Sequence, residues 1–245
     1  MVIIQMGNVV TRFDGINSKS KLSYIIANKL SYKIGGFGAP KEKKVLYNVK
    51  TNTTYTGLVP HVLTILKKCG IKYKLNDRRN KPEKNANFNI VAPFQPRIHQ
   101  KPIIDRTSSR ETIQAATGAG KTYIMAELIT KFNTKPVLVV APKVSLALQI
   151  KDEFKKFLQE DIGIVGGGFN DIQDITICTP QSISDKMIRK TKVLMFDEAH
   201  NIPSQTIFSV ACKAINAYYR IGVSATPWRD GGDDLLIEAA LNIRK

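Results

Sequence analysis

From residue 95 onward, short apolar runs alternate with longer amphipathic stretches, and no other feature restricts the fold as strongly. The runs are 113–116, 137–141, 162–165, 175–178, 193–196 and 219–224. Helical spacing fits 121–132, 145–158, 181–189 and 204–215 between them. A run such as Val137-Leu138-Val139-Val140, apolar at consecutive positions, requires a sheet covered on both faces. The pattern predicts an α/β fold with a doubly wound, mostly parallel sheet and loops gathered at the carboxyl ends of its strands.

One loop in this frame stands out chemically. Ala115-Ala116-Thr117-Gly118-Ala119-Gly120-Lys121-Thr122 joins an expected strand to a helix in which Ile124, Met125, Leu128, Ile129 and Phe132 share a face. A strand that turns through glycines into a helix leaves several backbone N–H groups unpaired, and phosphate oxygens satisfy them with help from the helix dipole. Thr117, Gly118, Ala119 and Gly120 would form that cradle. Lys121 would reach the β- and γ-phosphates, and the Thr122 hydroxyl would ligate Mg²⁺. Taken alone, such a turn also serves as a plain chain reversal.

Further along, Val193-Leu194-Met195-Phe196 reads as a buried strand with Asp197 and Glu198 emerging at its end. Two adjacent carboxylates repel unless a cation compensates. Asp197 would hold the Mg²⁺ shell and Glu198 would polarise the water attacking the γ-phosphate. In isolation the pair also fits the acidic start of a helix. Third comes Gly222-Val223-Ser224-Ala225-Thr226-Pro227, where the hydroxyls of Ser224 and Thr226 could link the carboxylates to another surface.

The first third of the chain differs in charge. Of the net +17, residues 1–90 carry +13 (17 Lys/Arg against 4 Asp/Glu), and the remainder carries +4. Such a basic segment attracts polyanions, nucleic acid above all. Strands are expected around Gly7-Asn8, a helix over 21–30 capped by Asn17-Ser18, and a glycine-rich turn over 33–40. A hairpin of 43–50 with 53–56, a helix over 58–68 ending at Gly70 and a strand over 71–75 complete a small basic α/β module, 1–76. Residues 77–93, polar and interrupted by proline, read as a linker, with the larger domain over 94–245. No apolar run approaches the roughly 20 residues that span a bilayer, and no leader is visible. Cys69, Cys178 and Cys212 show no paired spacing, so a soluble cytoplasmic protein without membrane partners is expected.

In order and spacing, Gly118-Ala119-Gly120-Lys121-Thr122, Asp197-Glu198-Ala199-His200 and Ser224-Ala225-Thr226 resemble motifs I, II (a DEAH box) and III of superfamily 2 helicases and translocases. The resemblance implies a RecA-like motor domain that uses ATP and Mg²⁺, with His200, Ser224 and Thr226 coupling the nucleotide to movement. It also implies that Arg97 and Gln100, in Phe94-Gln95-Pro96-Arg97-Ile98-His99-Gln100, read adenine. Pro142 to Gln149 is similar to motif Ia and Thr179-Pro180-Gln181 to motif Ib, which would make Lys143, Ser145 and Thr179 donors to a nucleic-acid backbone. Gly166-Gly167-Gly168 fits either a close backbone approach or a plain turn.

The basic module resembles, more loosely, that of phage UvsW-type branch-migration helicases. The cues are Gly35-Gly36 before a hairpin and Thr56-Gly57-Leu58-Val59-Pro60 opening a helix. This implies action on forked, branched or duplex DNA, in the host cytoplasm if phage-encoded. In such motors a second RecA-like domain supplies an arginine finger. Lys245 lies 19 residues after Thr226, so the chain is expected to hold the first motor domain, to bind ATP–Mg²⁺ and DNA, and to hydrolyse weakly. Arg220, Arg229 and Arg244 receive no such role from sequence. An RNA helicase and a non-catalytic, nucleotide-gated nucleic-acid-binding protein are the alternatives.

Overall fold

A computed structural model describes residues 1–34, 42–228 and 232–242. They form two compact units, Met1–Asn80 with Trp228–Lys245, and Lys81–Pro227.

The first unit begins with β1 (Val2–Met6), β2 (Val10–Asp14) and α1 (Lys21–Lys29), then β3 (Ser31–Ile34) and β4 (Glu42–Val45). It continues through β5 (Tyr47–Asn48), β6 (Thr53–Tyr55), α2 (Val59–Lys68) and β7 (Tyr73–Asp77). Five strands form a sheet in the order β5-β6-β2-β1-β7, and β3 pairs with β4 as a separate two-stranded ribbon. Burial alternates along the sheet. Val2, Ile4, Thr11, Phe13 and Thr54 lie inside, whereas Val10 and Arg12 are exposed, as a sheet covered on one face requires. The cap of α1 is Ser20, whose Oγ accepts from the Ser23 N–H at 3.2 Å, rather than Asn17-Ser18. Ser31–Ile34 is a strand where the sequence suggested only a turn. Its alternation is hidden because both ribbon strands are largely exposed. Gly35 and Gly36 lie outside the described residues.

The second unit runs α3 (Lys101–Arg106), β8 (Arg110–Gln114), α4 (Lys121–Phe132), β9 (Val137–Val140) and α5 (Val144–Phe157). It goes on to β10 (Ile162–Gly166), β11 (Phe169–Asp171), β12 (Ile175–Cys178), α6 (Asp185–Lys190), β13 (Val193–Asp197), α7 (Gln205–Lys213) and β14 (Tyr219–Ser224). The seven-stranded sheet has the order β11-β10-β12-β9-β13-β14-β8, parallel throughout except for β10 with β11. The α/β, RecA-like fold is therefore present. All four residues of β9 and of β12 are buried, each apolar side chain contributing about 1.5–3 kcal/mol by leaving water. The order sets β14 between β8 and β13, so the carboxyl ends of three strands that are distant in sequence meet at one edge of the sheet.

The units depart from the expected division of the chain. Residues 86–91 are laid on the second unit: Phe88 is buried in its core and its N–H donates to Asn133 Oδ1 at 3.2 Å. The Val91 N–H donates to Phe157 O at 2.8 Å. The linker reading of 77–93 missed this because a single aromatic among asparagines carries no periodicity. Residues after Pro227, including α8 (Asp234–Ala240), group with the first unit rather than with the larger domain. There Gly57 permits the contact, since any Cβ would collide with the carbonyl oxygen of Glu238. His61 Nε2 lies 2.7 Å from Glu238 Oε2.

Candidate active site

The glycine-rich turn follows β8 directly. Pairing of β8 ends at Gln114 opposite Ser224, with a further bond from the Ala115 N–H to Ser224 O at 2.9 Å, so Ala115-Ala116 already belong to the turn. Gly118 (φ +80°) and Gly120 (φ +77°) are left-handed, a conformation that side chains resist. Gly120 is doubly required, because a Cβ there would strike Gln100 Nε2. No side chain caps α4 at Gly120. Its first-turn amides, including those of Lys121 and Thr122, have no carbonyl one turn earlier to bond. They form a concentrated donor site at the positive end of a twelve-residue helix.

Gln100 is 2% exposed. Its Oε1 accepts from the Arg97 N–H at 2.8 Å and its Nε2 donates to Ala119 O at 2.9 Å. Arg97 Nη1 reaches Gly118 O at 3.5 Å, and His99 Nε2 lies 3.3 Å from Ala119 O. The segment 97–100 thus braces the turn through its backbone carbonyls, with Arg97 exposed beside it.

Asp197 ends β13, and Glu198 follows in the left-handed region (φ +52°). That kink aims its carboxylate back across the sheet edge. Lys121 Nζ donates to Glu198 Oε1 at 2.5 Å. Ser224 Oγ donates to Glu198 Oε2 at 3.2 Å, and His200 Nδ1 lies 3.0 Å from that hydroxyl and 3.2 Å from Glu198 Oε2. The Thr226 N–H closes the set on Ser224 Oγ at 3.3 Å. Lys121, Glu198, His200, Ser224 and Thr226 therefore form one network from three separate segments. Asn201 adds a contact that sequence reasoning missed: its N–H and its Nδ2 donate to the Glu198 carbonyl at 2.9 and 3.2 Å.

The two carboxyls have opposite tendencies. Burial would raise Glu198, but the hydrogen bond and charge of Lys121, with Ser224 and His200, outweigh it and hold the group below its ordinary value. Asp197 is pushed up, chiefly by burial, against the pull of Lys121. Among the described residues no three His, Cys, Asp or Glu cluster into a metal cage. Thr122, in the first turn of α4, and Asp197, at the end of β13, are the residues that would hold a Mg²⁺ bound with a nucleotide.

Other expected site residues cluster at the same sheet edge, beyond β9 and β12. Lys143 is the exposed N-cap of α5, and Ser145 is exposed in its first turn. Thr179 is buried, its N–H donates to Val165 O at 3.1 Å and its hydroxyl lies 3.0 Å from the Oγ of exposed Ser182. Thr179 is folded inward against Gly166, where a Cβ would come within 2.5 Å of its Oγ1. Gly166-Gly167-Gly168 is the turn of the β10–β11 hairpin and also the close approach, because a Cβ at Gly167 would lie 2.6 Å from Val144 Cγ1. Arg220 is structural. Its buried guanidinium donates to the carbonyls of Ala211, Ala214 and Ala217 at 2.7, 2.5 and 3.0 Å, and burial pushes it down to about 10. Arg229 and Arg244 lie outside the described residues.

The profile of the family "Type III restriction enzyme, res subunit" matches residues 58–229, well over half of the chain. The chain belongs to this family. Its sequence is 35% identical over 126 residues to DNA 3'-5' translocase XPB2 of Sulfurisphaera tokodaii, covering 50% of this chain and 28% of that protein. It is 35% identical over 86 residues to UvrABC system protein B of Lactobacillus johnsonii, covering 32% and 13%. The chain thus spans less than a third of these relatives. In fold it is similar to the UvsW helicase of bacteriophage T4, with TM-score 0.78 at 17% identity over 98% of this chain and 97% of that one. The SWI2/SNF2 ATPase core of Sulfolobus solfataricus, solved with dsDNA, gives TM-score 0.53 at 23% identity over 66% and 38%. The superfamily 2 resemblance of the motifs and the UvsW-like fold are therefore present together. No helix of the described residues is long and apolar enough to cross a membrane.

Proposed function

We propose that this chain is the ATP- and DNA-engaging part of a superfamily 2 DNA helicase or translocase that works on forked or branched DNA in replication, recombination or repair. The observation that carries the proposal is the Lys121–Glu198–Ser224–His200 network at the end of three neighbouring strands. In it the phosphate-binding lysine neutralises the candidate base. When triphosphate enters the cradle of Thr117 to Thr122, the ammonium turns to the β- and γ-oxygens and releases Glu198. Glu198, freed of the ammonium, then orients a water toward the γ-phosphate. Bound Mg²⁺ supplies neutralisation of phosphate charge, with Thr122 and Asp197 holding its shell. Ser224 and His200 sense which partner Glu198 has, so they convert nucleotide state into displacement of the Ser224–Thr226 segment. Arg97, exposed beside the turn, is the candidate contact to adenine, with Gln100 setting its position. Lys143, Ser145 and Thr179 are the candidate donors to a DNA backbone, with exposed Ser182 beside Thr179.

The charge of residues 1–90 and the identity to an archaeal DNA translocase support DNA over RNA. Phosphate release should be measured with a second RecA-like domain supplied in cis or in trans, with forked DNA, duplex DNA or RNA added at one fixed salt concentration. Stimulation greatest with forked DNA and lost in Glu198→Gln is expected. Release indifferent to nucleic acid, or unchanged by that substitution, would overturn the proposal.

A further inference from the structure

The basic unit carries a surface that the motor chemistry does not use. The β3–β4 ribbon pairs Ser31 with Val45, Tyr32 with Lys44, Lys33 with Lys43 and Ile34 with Glu42. Alternation sets Lys33, Lys43 and Val45 on one face. Lys33 stands directly opposite Lys43, whose ammonium donates to Asn28 Oδ1 at 2.5 Å, and like charges in that position destabilise a strand pair. The carboxylate of the described ribbon, Glu42, is engaged by Lys44 at 2.6 Å. A two-stranded ribbon buries little and is marginal by itself, so a repelling lysine pair on it favours an anion laid across both.

Beside the lysines lies a notch of about 370 Å³ at the edge of the five-stranded sheet, lined in part by Val10, Val45, Leu46, Asn48, Thr53 and Tyr55. Val10 and Val45 are each 46% exposed, and both converge on this one concavity with half-buried Tyr55. Apolar side chains with the rings of Tyr55 and buried Tyr47, and amide and hydroxyl groups from Asn48, Thr53 and Thr54, suit the flat face and polar edge of a nucleobase. Val45 and Lys43 lie two residues apart on one strand face, about 7 Å, so a base in the notch leaves its phosphates within reach of long lysine side chains.

We infer that the notch takes an unpaired base of a single-stranded nucleic acid, whose flanking phosphates are held by Lys33 and Lys43. A base inside a duplex is already stacked on its neighbours, so an unpaired base is the one whose face is free to enter the notch. The inference rests on the proposal that the basic unit engages nucleic acid, and adds which strand state it recognises and where. Stacking on an aromatic ring works for any base and contributes to single-strand binding without sequence preference.

The test is fluorescence anisotropy of the full chain with a labelled thymidine oligonucleotide of about 12 nucleotides and with a duplex of the same length, at one salt concentration. Tyr55→Ala should weaken single-strand binding about tenfold and duplex binding less than twofold. Val45→Asp, at an exposed position, should do the same and guards against a folding defect at Tyr55, which thermal melting would reveal. Lys33→Glu with Lys43→Glu should weaken binding and lower the salt slope by about 1.4, since single strands give about 0.7 per phosphate. Single-strand binding that survives all of these variants overturns the notch while leaving nucleic-acid binding by the unit standing. Absence of binding of either oligonucleotide by the unsubstituted chain overturns both.

Discussion

The two units solve opposite problems with their sheets. In the second unit the central strands are buried on both faces, and the candidate site lies at the carboxyl ends, where Lys121, Glu198 and Ser224 meet. In the first unit a short, largely antiparallel sheet is buried on one face, and its excess charge is spread over exposed strands, ribbon and helix ends. The first arrangement makes a point site whose geometry is set by packing. The second makes a broad field whose strength is set by charge count. A substitution in the former should act locally and steeply, and one in the latter gradually and with salt.

The steepest effect is expected at Gly120. Gly120→Val forces a branched side chain into a left-handed residue and against Gln100. Affinity for a fluorescent ADP analogue should fall by about 100-fold or more, equivalent to about 2.7 kcal/mol. A fall below threefold would mean that the turn is not the nucleotide cradle.

Next in size is Arg220→Met. It removes a buried donor to three carbonyls at the end of α7. Leaving those groups unsatisfied should cost about 2–4 kcal/mol of stability in chemical denaturation. A neutral outcome would show that the position of α7 does not depend on this residue.

A matched pair of helix ends sharpens the contrast between the units. Lys67 and Lys68 close α2, and Lys155 and Lys156 close α5, all four exposed. Changing the first pair to glutamine should weaken duplex DNA binding about tenfold and reduce the salt slope by about 1.8. The second pair should move both readouts much less. Equal effects from both pairs would erase the distinction between field and point site.

The smallest effect concerns pH. Asp197 titrates above its ordinary value, so the stability it contributes is present when protonated and is lost as pH rises through that raised value. Glu198 titrates below its ordinary value, so its contribution is present above the ordinary range and is lost as pH falls. In the absence of nucleotide, Asp197→Asn should therefore raise the melting temperature near pH 7.5 by about 2 °C while removing Mg²⁺-dependent nucleotide binding. A lower melting temperature would contradict the assignment of burial as the dominant influence on Asp197.

The contrast also governs what could be read before any coordinates. Elements of the second unit were legible because continuous apolar runs admit few alternatives, and the turn at 117–122 and the carboxylates at 197–198 fell at their ends. The lattice of contacts between Lys121, Glu198, His200 and Ser224 was not legible, because it depends on β14 lying between β8 and β13, which is a matter of strand order. The burial of Thr179 was not legible, because a hydroxyl at a strand end looks the same whether it faces solvent or the Gly166 turn. In the first unit the charge was plain, yet the strand at Ser31–Ile34 was missed. Its residues bury little, and burial is what imprints period two on a sequence. The residues after Pro227 show the same limit, since Asp234–Ala240 is a short helix whose membership is decided by the contact at Gly57 and not by its own composition.

The central claim is that a triphosphate and its Mg²⁺ settle in the cradle opposite Glu198. Isothermal titration of the chain with ATP in the presence of Mg²⁺ tests it directly. One site per chain is predicted, with affinity strengthened by Mg²⁺ and abolished in Lys121→Ala. Absence of heat at millimolar ATP, or binding that is indifferent to both Mg²⁺ and Lys121, would contradict it.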